Sequence, residues 1–223
     1  MTDQQEDATY DAYLLRYPDG SWLALASDLP GAYAAGASPD EAAARLAVAI
    51  PAYYAWLRQH DDYMPITHDT PHVVVRGQAQ AGEGPAGWLG AFFAGDAEPV
   101  GGEDLDWWLA VLDWAYDDLL AEAQSAPLTA LRASLLDAVA QMQAGIVALA
   151  TGGTLLALIG ADDALGRVSA VRAAALAALR RANAEQRTAV REAEGQRWSL
   201  RRGLRASALL VRRATDALTA IHH

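Results

Sequence analysis

Aromatic and aliphatic residues interleave with polar ones from Tyr10 to Tyr17 and again from Trp22 to Ser27, and Asp19-Gly20 lies between the two runs. Asp-Gly between such runs predicts strand, tight turn and strand, because both residues tolerate the left-handed backbone that a hairpin turn requires. Leu29-Pro30-Gly31 closes the second strand, and the AYAAG that follows is short enough to be a third. Ser38-Pro39-Asp40-Glu41 then predicts a helix start, with Ser38 as N-cap, Pro39 at the first helical position and Glu41 reaching back to the Ser38 amide. Ala42, Leu46, Ala49, Tyr53 and Leu57 follow helical spacing and would cover one face of the sheet. Pro51, inside this helix, predicts a kink or a restart near Val48. HVVVRGQAQ, residues 72–80, reads as a fourth strand, and WLGAFFAG as a candidate fifth.

A glycine-rich stretch over 81–102 reads as a linker, and beyond it the period becomes helical. Leu105, Trp108, Leu109, Leu112, Tyr116, Leu119 and Ala123 form one stripe. A second runs through Leu128, Leu131, Leu135, Val139, Met142, Ile146 and Leu149. The third helix, over 163–194, turns Val168, Val171, Ala175, Leu179 and Ala182 inward. The fourth starts at Ser199 and carries Leu200, Leu204, Ala208, Val211, Thr215 and Leu218. The pattern therefore predicts an α+β chain: a small antiparallel sheet with a helix over 8–80, the linker, and a four-helix bundle over 103–223. Ala138 to Ala161 holds no charge over 24 positions, long enough to cross a bilayer, but Gly152-Gly153 and the two glutamines, Gln141 and Gln143, favour a buried helix pair.

Charge is also distributed unevenly along the chain, which suggests two units of different character. Residues 1–125 hold 4 Arg and 21 acids, a balance of −17, whereas residues 126–223 hold 13 Arg and 7 acids, a balance of +6. The net charge of −11 argues against general affinity for nucleic-acid phosphates or an anionic membrane. All basic residues are arginine, and cysteine is absent, so Schiff-base lysines, disulfides and thiolate sites are excluded and the chain suits the cytoplasm. The acidic, polar start MTDQQEDATYDAY lacks the pattern of a secretory leader.

The order of strand, Asp-Gly turn, strand, DLPG, short strand and S-P-D-E-A resembles the HicB-like antitoxin domain over about residues 8–60. The resemblance implies a small sheet with a helix that binds a toxin and has no activity of its own. In that family a DNA-binding segment commonly follows, and here the sequence continues differently. The strings EDLDWWLAVLDW and RWSLRRGLRA, the second containing W-S-x-R-x-x-L-R, resemble the DinB-like bundle family over about residues 103–221. That resemblance implies a metal held by three histidines, one on the second helix and two on the fourth. By position those sites fall near Ala138, Leu210 and Ala214, none of which is a histidine.

Independently of any family, no His or Cys lies between Val73 and Ile221, so no metal site built on nitrogen or sulfur donors is expected in the helices. Asp113 and Asp117 share a helix face, and Asp137 and Asp216 could approach them, but solvated carboxylates account for these residues better than a magnesium site. His68 and His72 have metal-ligand spacing, yet Pro71 breaks the helix that would align them. His222 and His223 end the sequence given. GEGPAG fits a dinucleotide fingerprint only as a string, since no helix opens at its last glycine. Ten Arg against three Glu over residues 180–213 could track nucleic acid, or pair with acids of the same protein, the expectation favoured by the net charge. The sequence thus predicts a non-catalytic, cytoplasmic interaction protein with no cofactor, a protein partner or self-association, no membrane contact and no nucleic acid. The alternative is a DinB-like, thiol-dependent transferase or hydrolase with an atypical metal site. Candidate partner-binding residues are Trp22, Leu29, Pro30, Gly31 and Tyr33, and candidate bundle-interface residues are Trp107, Trp114, Arg201 and Arg205.

Overall fold

The computed structural model describes residues 8–62, 64, 71–82, 91–153 and 163–222. It is a mixed α+β chain that divides into two compact units, Met1–Phe93 and Ala94–His223. In the first unit, β1 (Thr9–Arg16), β2 (Trp22–Ala26), β3 (Tyr33–Gly36) and β4 (His72–Gln80) form one sheet in the order β3-β2-β1-β4. β1–β2 and β2–β3 are antiparallel, whereas β4 lies parallel to β1. The expected all-antiparallel sheet is therefore mixed, and the cause is α1 (Pro39–His60), a crossover helix that returns the chain to the sheet in the direction of β1. Of the candidate fifth strand WLGAFFAG, residues 88–90 lie outside the described residues and 91–93 form no strand.

Ser38 caps α1 as its sequence predicts, its Oγ accepting from the Glu41 amide at 3.1 Å, but the Glu41 carboxylate takes the Ala37 amide instead of that of Ser38. The helix continues unbroken through Pro51, with no restart near Val48. A proline inside a helix forfeits the bond its own nitrogen would have donated and crowds the carbonyl four residues back, and burial of Leu46, Ile50, Tyr53, Trp56 and Leu57 on either side offsets that cost. Ile50, not Ala49, sits on the buried face. Gly36 permits the helix to lie on β3, since a Cβ there would fall 2.5 Å from the Ala42 nitrogen.

The second unit begins with a single 3-10 turn over Ala94–Ala97, followed by α2 (Gly102–Gln124), α3 (Ala130–Thr151), α4 (Ala164–Arg180), a short α5 (Ala184–Thr188), the hairpin β5 (Arg191–Ala193) and β6 (Gln196–Trp198), and α6 (Leu200–His222). The third predicted helix is thus three elements. Asn183 and Gln186 form a capping box that starts α5, and Glu194 and Gly195, with φ of 51° and 71°, make the hairpin turn.

α2 and α3 each pack on both α4 and α6. Their directions follow from the contacts. Asp104 pairs with Arg201 and Asp118 with Arg212, so α2 and α6 run parallel. α3 opposes α6: Gln143 donates to Ser207 at 2.8 Å, and Arg132 near the start of α3 reaches the Leu218 carbonyl at 3.4 Å. α4 runs with α3, since Arg167 near its start binds Asp137 and Gln186 just beyond its end binds the Thr151 carbonyl.

The α2 stripe is buried as predicted, from Leu105 to Ala123. That of α3 is rotated: Arg132, Leu136, Val139, Ala140, Gln143, Val147 and Ala150 face inward, while Leu128 and Leu131 are 40% and 61% exposed. Apolar residues surround most of α3, so spacing alone cannot set its phase, and the Arg132 guanidinium turns inward to the carbonyl ends of α2 and α6, where a cation is favoured. α3 is long and apolar enough to cross a membrane by composition, and this inward face packs on α4 and α6.

Two glycines in this unit make opposite predictions. A Cβ on Gly203 would fall 2.2 Å from the Cβ of Ala150, so α6 approaches α3 there only because the side chain is missing. Gly203→Val is expected to destabilise the protein by at least about 1–3 kcal/mol through overpacking. Gly145, in mid-α3, has nothing within 4 Å of a built Cβ, and Gly145→Ala is expected to stabilise by about 0.5–1 kcal/mol. Urea unfolding of the two variants beside the native chain checks both signs.

Candidate functional site

The WSLRRGLR segment folds as one structural unit at the start of α6. Ser199 accepts from the Arg202 amide at 3.1 Å and so caps the helix. Three arginines then leave the first turns in different directions. Arg201 donates to the Pro99 carbonyl at 3.3 Å and lies 3.7 Å from the Asp104 carboxylate. Arg202 stacks on the Trp198 ring, its guanidinium carbon 3.9 Å from the ring centre, and donates to the Arg197 carbonyl and to Gln196 Oε1. Burial and then the neighbouring Arg205 push its pKa down to about 10, with Asp96 opposing the shift, so it stays charged at neutral pH.

Arg205 faces Asp96 side-on, with Nε donating to Oδ1 at 3.1 Å and Nη2 to Oδ2 at 2.5 Å. The two side chains are only 4% and 2% exposed. Asp96 comes from the stretch read as linker, yet it is buried, and Val100 just beyond it donates to the Arg187 carbonyl at 3.1 Å. Residues 94–100 are therefore built into the second unit. Neither Asp96 nor Arg202 was singled out by the sequence reading. The available signal was helical phase: Arg202 and Arg205 stand three apart on a helix whose Leu204 and Ala208 point inward.

The interface candidates differ among themselves. Arg205 is buried in the ion pair, and Arg201 is half-buried against residues 99–104. Trp107 and Trp114, two turns apart on α2, are half-buried and meet edge to face with ring centres 6.0 Å apart. In the first unit, Trp22 and Tyr33 are half-buried, and the Arg16 guanidinium lies 5.9 Å from the Trp22 ring centre. Leu29, Pro30 and Gly31 are buried. They form a tight turn in which the Ala32 amide donates to the Leu29 carbonyl at 3.0 Å and Gly31 takes a φ of 78°. Tyr53 on α1 donates to the Pro30 carbonyl at 2.7 Å, so this motif anchors the turn beneath the helix.

Of the carboxylates weighed as an oxygen cluster, Asp113, Asp117 and Asp137 are each matched to an arginine of α4. Arg172 binds Asp113 at 2.6 Å and Asp117 at 2.6 Å, and Arg167 binds Asp137 at 2.7 Å. Burial works against the Arg172 charge, but the Asp117 and Asp113 hydrogen bonds outweigh it and hold its pKa above the ordinary value. Among the described residues, no group of three or more His, Cys, Asp or Glu side chains is arranged to hold a metal ion. Ala138 is half-buried, and Leu210 and Ala214 are buried; with no nitrogen donor among them, they do not fit a three-histidine metal. His72 begins β4, His68 and most of GEGPAG lie outside the described residues, and the side chains of His222 and His223 are likewise not described. Much of the arginine run from 180 to 213 is engaged within its own unit: Arg187, Arg191, Arg201, Arg202, Arg205 and Arg212 meet backbone carbonyls or carboxylates.

The buried pair yields a test. Asp96→Asn leaves a buried guanidinium without its counter-charge and is expected to cost about 3–5 kcal/mol. Asp96→Asn combined with Arg205→Met should cost less than the sum of the two single changes, as urea unfolding of all four proteins would measure. Comparison with family models, curated proteins and solved structures finds no match to this chain.

Proposed function

We propose that this chain is a non-catalytic protein-interaction module of the cytoplasm. A HicB-like unit recognises a protein partner, and a DinB-like four-helix bundle lacking the metal of its family serves docking or dimerisation. The observation that carries this reading is the absence of His and Cys between Val73 and Ile221, with Ala138, Leu210 and Ala214 standing at the positions of the expected ligands. Metal-assisted hydrolysis or thiol transfer in such a bundle needs a cation held by nitrogen or sulfur donors and left with an open coordination position. The carboxylates Asp113, Asp117 and Asp137 are paired with Arg172 and Arg167, which leaves them less available to a cation.

The helix directions support the bundle reading, because α2 and α6 run one way and α3 and α4 the other, with each pair in contact with the opposing pair. A sheet with one crossover helix, and a Leu29-Pro30-Gly31 turn held by Tyr53, supports the HicB-like reading of the first unit. The half-buried Trp107 and Trp114 offer aromatic surface of the kind enriched where proteins meet. Internal pairing of the arginine run, with the net charge of −11, favours a protein partner over nucleic acid.

Elemental analysis of the 223-residue chain purified without chelators is expected to find no stoichiometric transition metal. A parallel preparation carrying Ala138→His, Leu210→His and Ala214→His is expected to hold about one zinc per chain, if the helices take the family's arrangement. One tightly bound transition metal per native chain, accompanied by turnover of a thiol or hydrolysable substrate, would overturn the proposal.

A further inference from the structure

Tyr116, on α2, is completely buried, and its hydroxyl has no hydrogen-bonding partner among the described residues. Gln143, on α3, is equally buried: its amide nitrogen donates to Ser207 Oγ at 2.8 Å, while its Oε1 has no partner among the described residues. One group is a donor and the other an acceptor, and native interiors rarely leave either unmet, because each costs about 1–3 kcal/mol when desolvated alone. α2 and α3 each pack on both α4 and α6, so Tyr116 and Gln143 enter the interior from opposite corners.

Their heights along the helices also agree. The Asp104–Arg201 and Asp118–Arg212 contacts place Tyr116 beside the stretch of α6 just before Arg212, one to two turns beyond Ser207, to which Gln143 is bonded. A long side chain on a helix slants toward the N-terminus of that helix, which on α2 is toward the level of Ser207. We infer that Tyr116 and Gln143 together bind one buried water molecule, which accepts from the tyrosine hydroxyl and donates to Gln143 Oε1. A water meets the need of both groups at once, whereas an ion does not: a donor and an acceptor are a poor cage for either sign of charge. Burial holds the Tyr116 hydroxyl far above its ordinary pKa, with Arg172 offsetting this only in part, so it remains a neutral donor throughout the physiological range. The site would join α2 to the α3–α6 pair by a polar link in the interior.

Tyr116→Phe decides the matter by its sign. If a water bridges the two groups, deleting the hydroxyl leaves Gln143 short of a partner, and the folding equilibrium constant falls about tenfold. Gln143→Met should cost a similar factor, and the double variant should be no worse than either single one. Oxygen-17 relaxation dispersion on the native chain should report a long-lived internal water that disappears in Tyr116→Phe. A folding constant that is unchanged or raised in Tyr116→Phe would overturn the inference, since that is the outcome of removing a hydroxyl that never had a partner. Identical long-lived water signals in the native chain and Tyr116→Phe would overturn it as well, whatever the stability change.

Discussion

The ion pair between Arg205 and Asp96 sets the terms for the second unit. Two charges taken out of water cost several kcal/mol each, and the loss is recovered only when they meet in good geometry with their other polar atoms bonded. The side-on pairing at 3.1 and 2.5 Å supplies that geometry, and the surrounding residues hold it. Ser199 caps the helix that presents Arg205, and the bond from Val100 to the Arg187 carbonyl holds the segment that presents Asp96. Trp198 and Gln196 engage Arg202, the neighbouring cation.

Arginine does comparable work elsewhere in the unit. Arg132 takes the carbonyl ends of α2 and α6, where the peptide dipoles leave partial negative charge, and Arg191 donates to the Ala150 carbonyl near the end of α3. Arg167 and Arg172 tie α4 to α3 and α2 through carboxylates. A planar fork holds five donors in fixed directions, so it can grip a carboxylate side-on or span two carbonyls in set geometry, where lysine offers a flexible point charge, and this gives a physical sense to a chain whose basic residues are all arginine. The positive balance of the C-terminal half is thus largely internal to the fold, a wiring of helix ends and faces.

Several elements were legible from residues alone because local chemistry determined them. Asp19-Gly20 marked the first hairpin, Ser38 and Pro39 the start of α1, and the α2 stripe from Leu105 to Ala123 its buried face. Other features escaped because tertiary contacts decide them. The phase of α3 depends on where Arg132 finds carbonyls, and the course of α1 through Pro51 on the packing to either side. The parallel placement of β4 depends on the route of the crossover. The third helix was overextended because an alanine- and arginine-rich string keeps helical spacing past Arg180, although Asn183 and Glu194-Gly195 carried the stop and turn signals. Of the candidate site residues, Trp22, Tyr33, Trp107 and Trp114 keep part of their surface open, whereas Leu29, Pro30, Gly31 and Arg205 are enclosed in their own units. Spacing identifies a residue type, but burial is a property of what the rest of the chain places against it.

Asp96 and Arg205 are separated by 109 positions, and Pro99 and Arg201 by 102. The first and last parts of the helical unit are therefore neighbours in space, and α6 fills the interior between α2 and α3. During synthesis the earlier helices leave the ribosome before the one that completes their core, so Asp96 and the inner faces of α2 and α3 wait in contact with water or a chaperone. Contacts of such long range also slow folding, because a large loop must close before any burial rewards it. The carboxylate that ends up among the best-shielded groups of the unit spends the nascent chain's growth exposed.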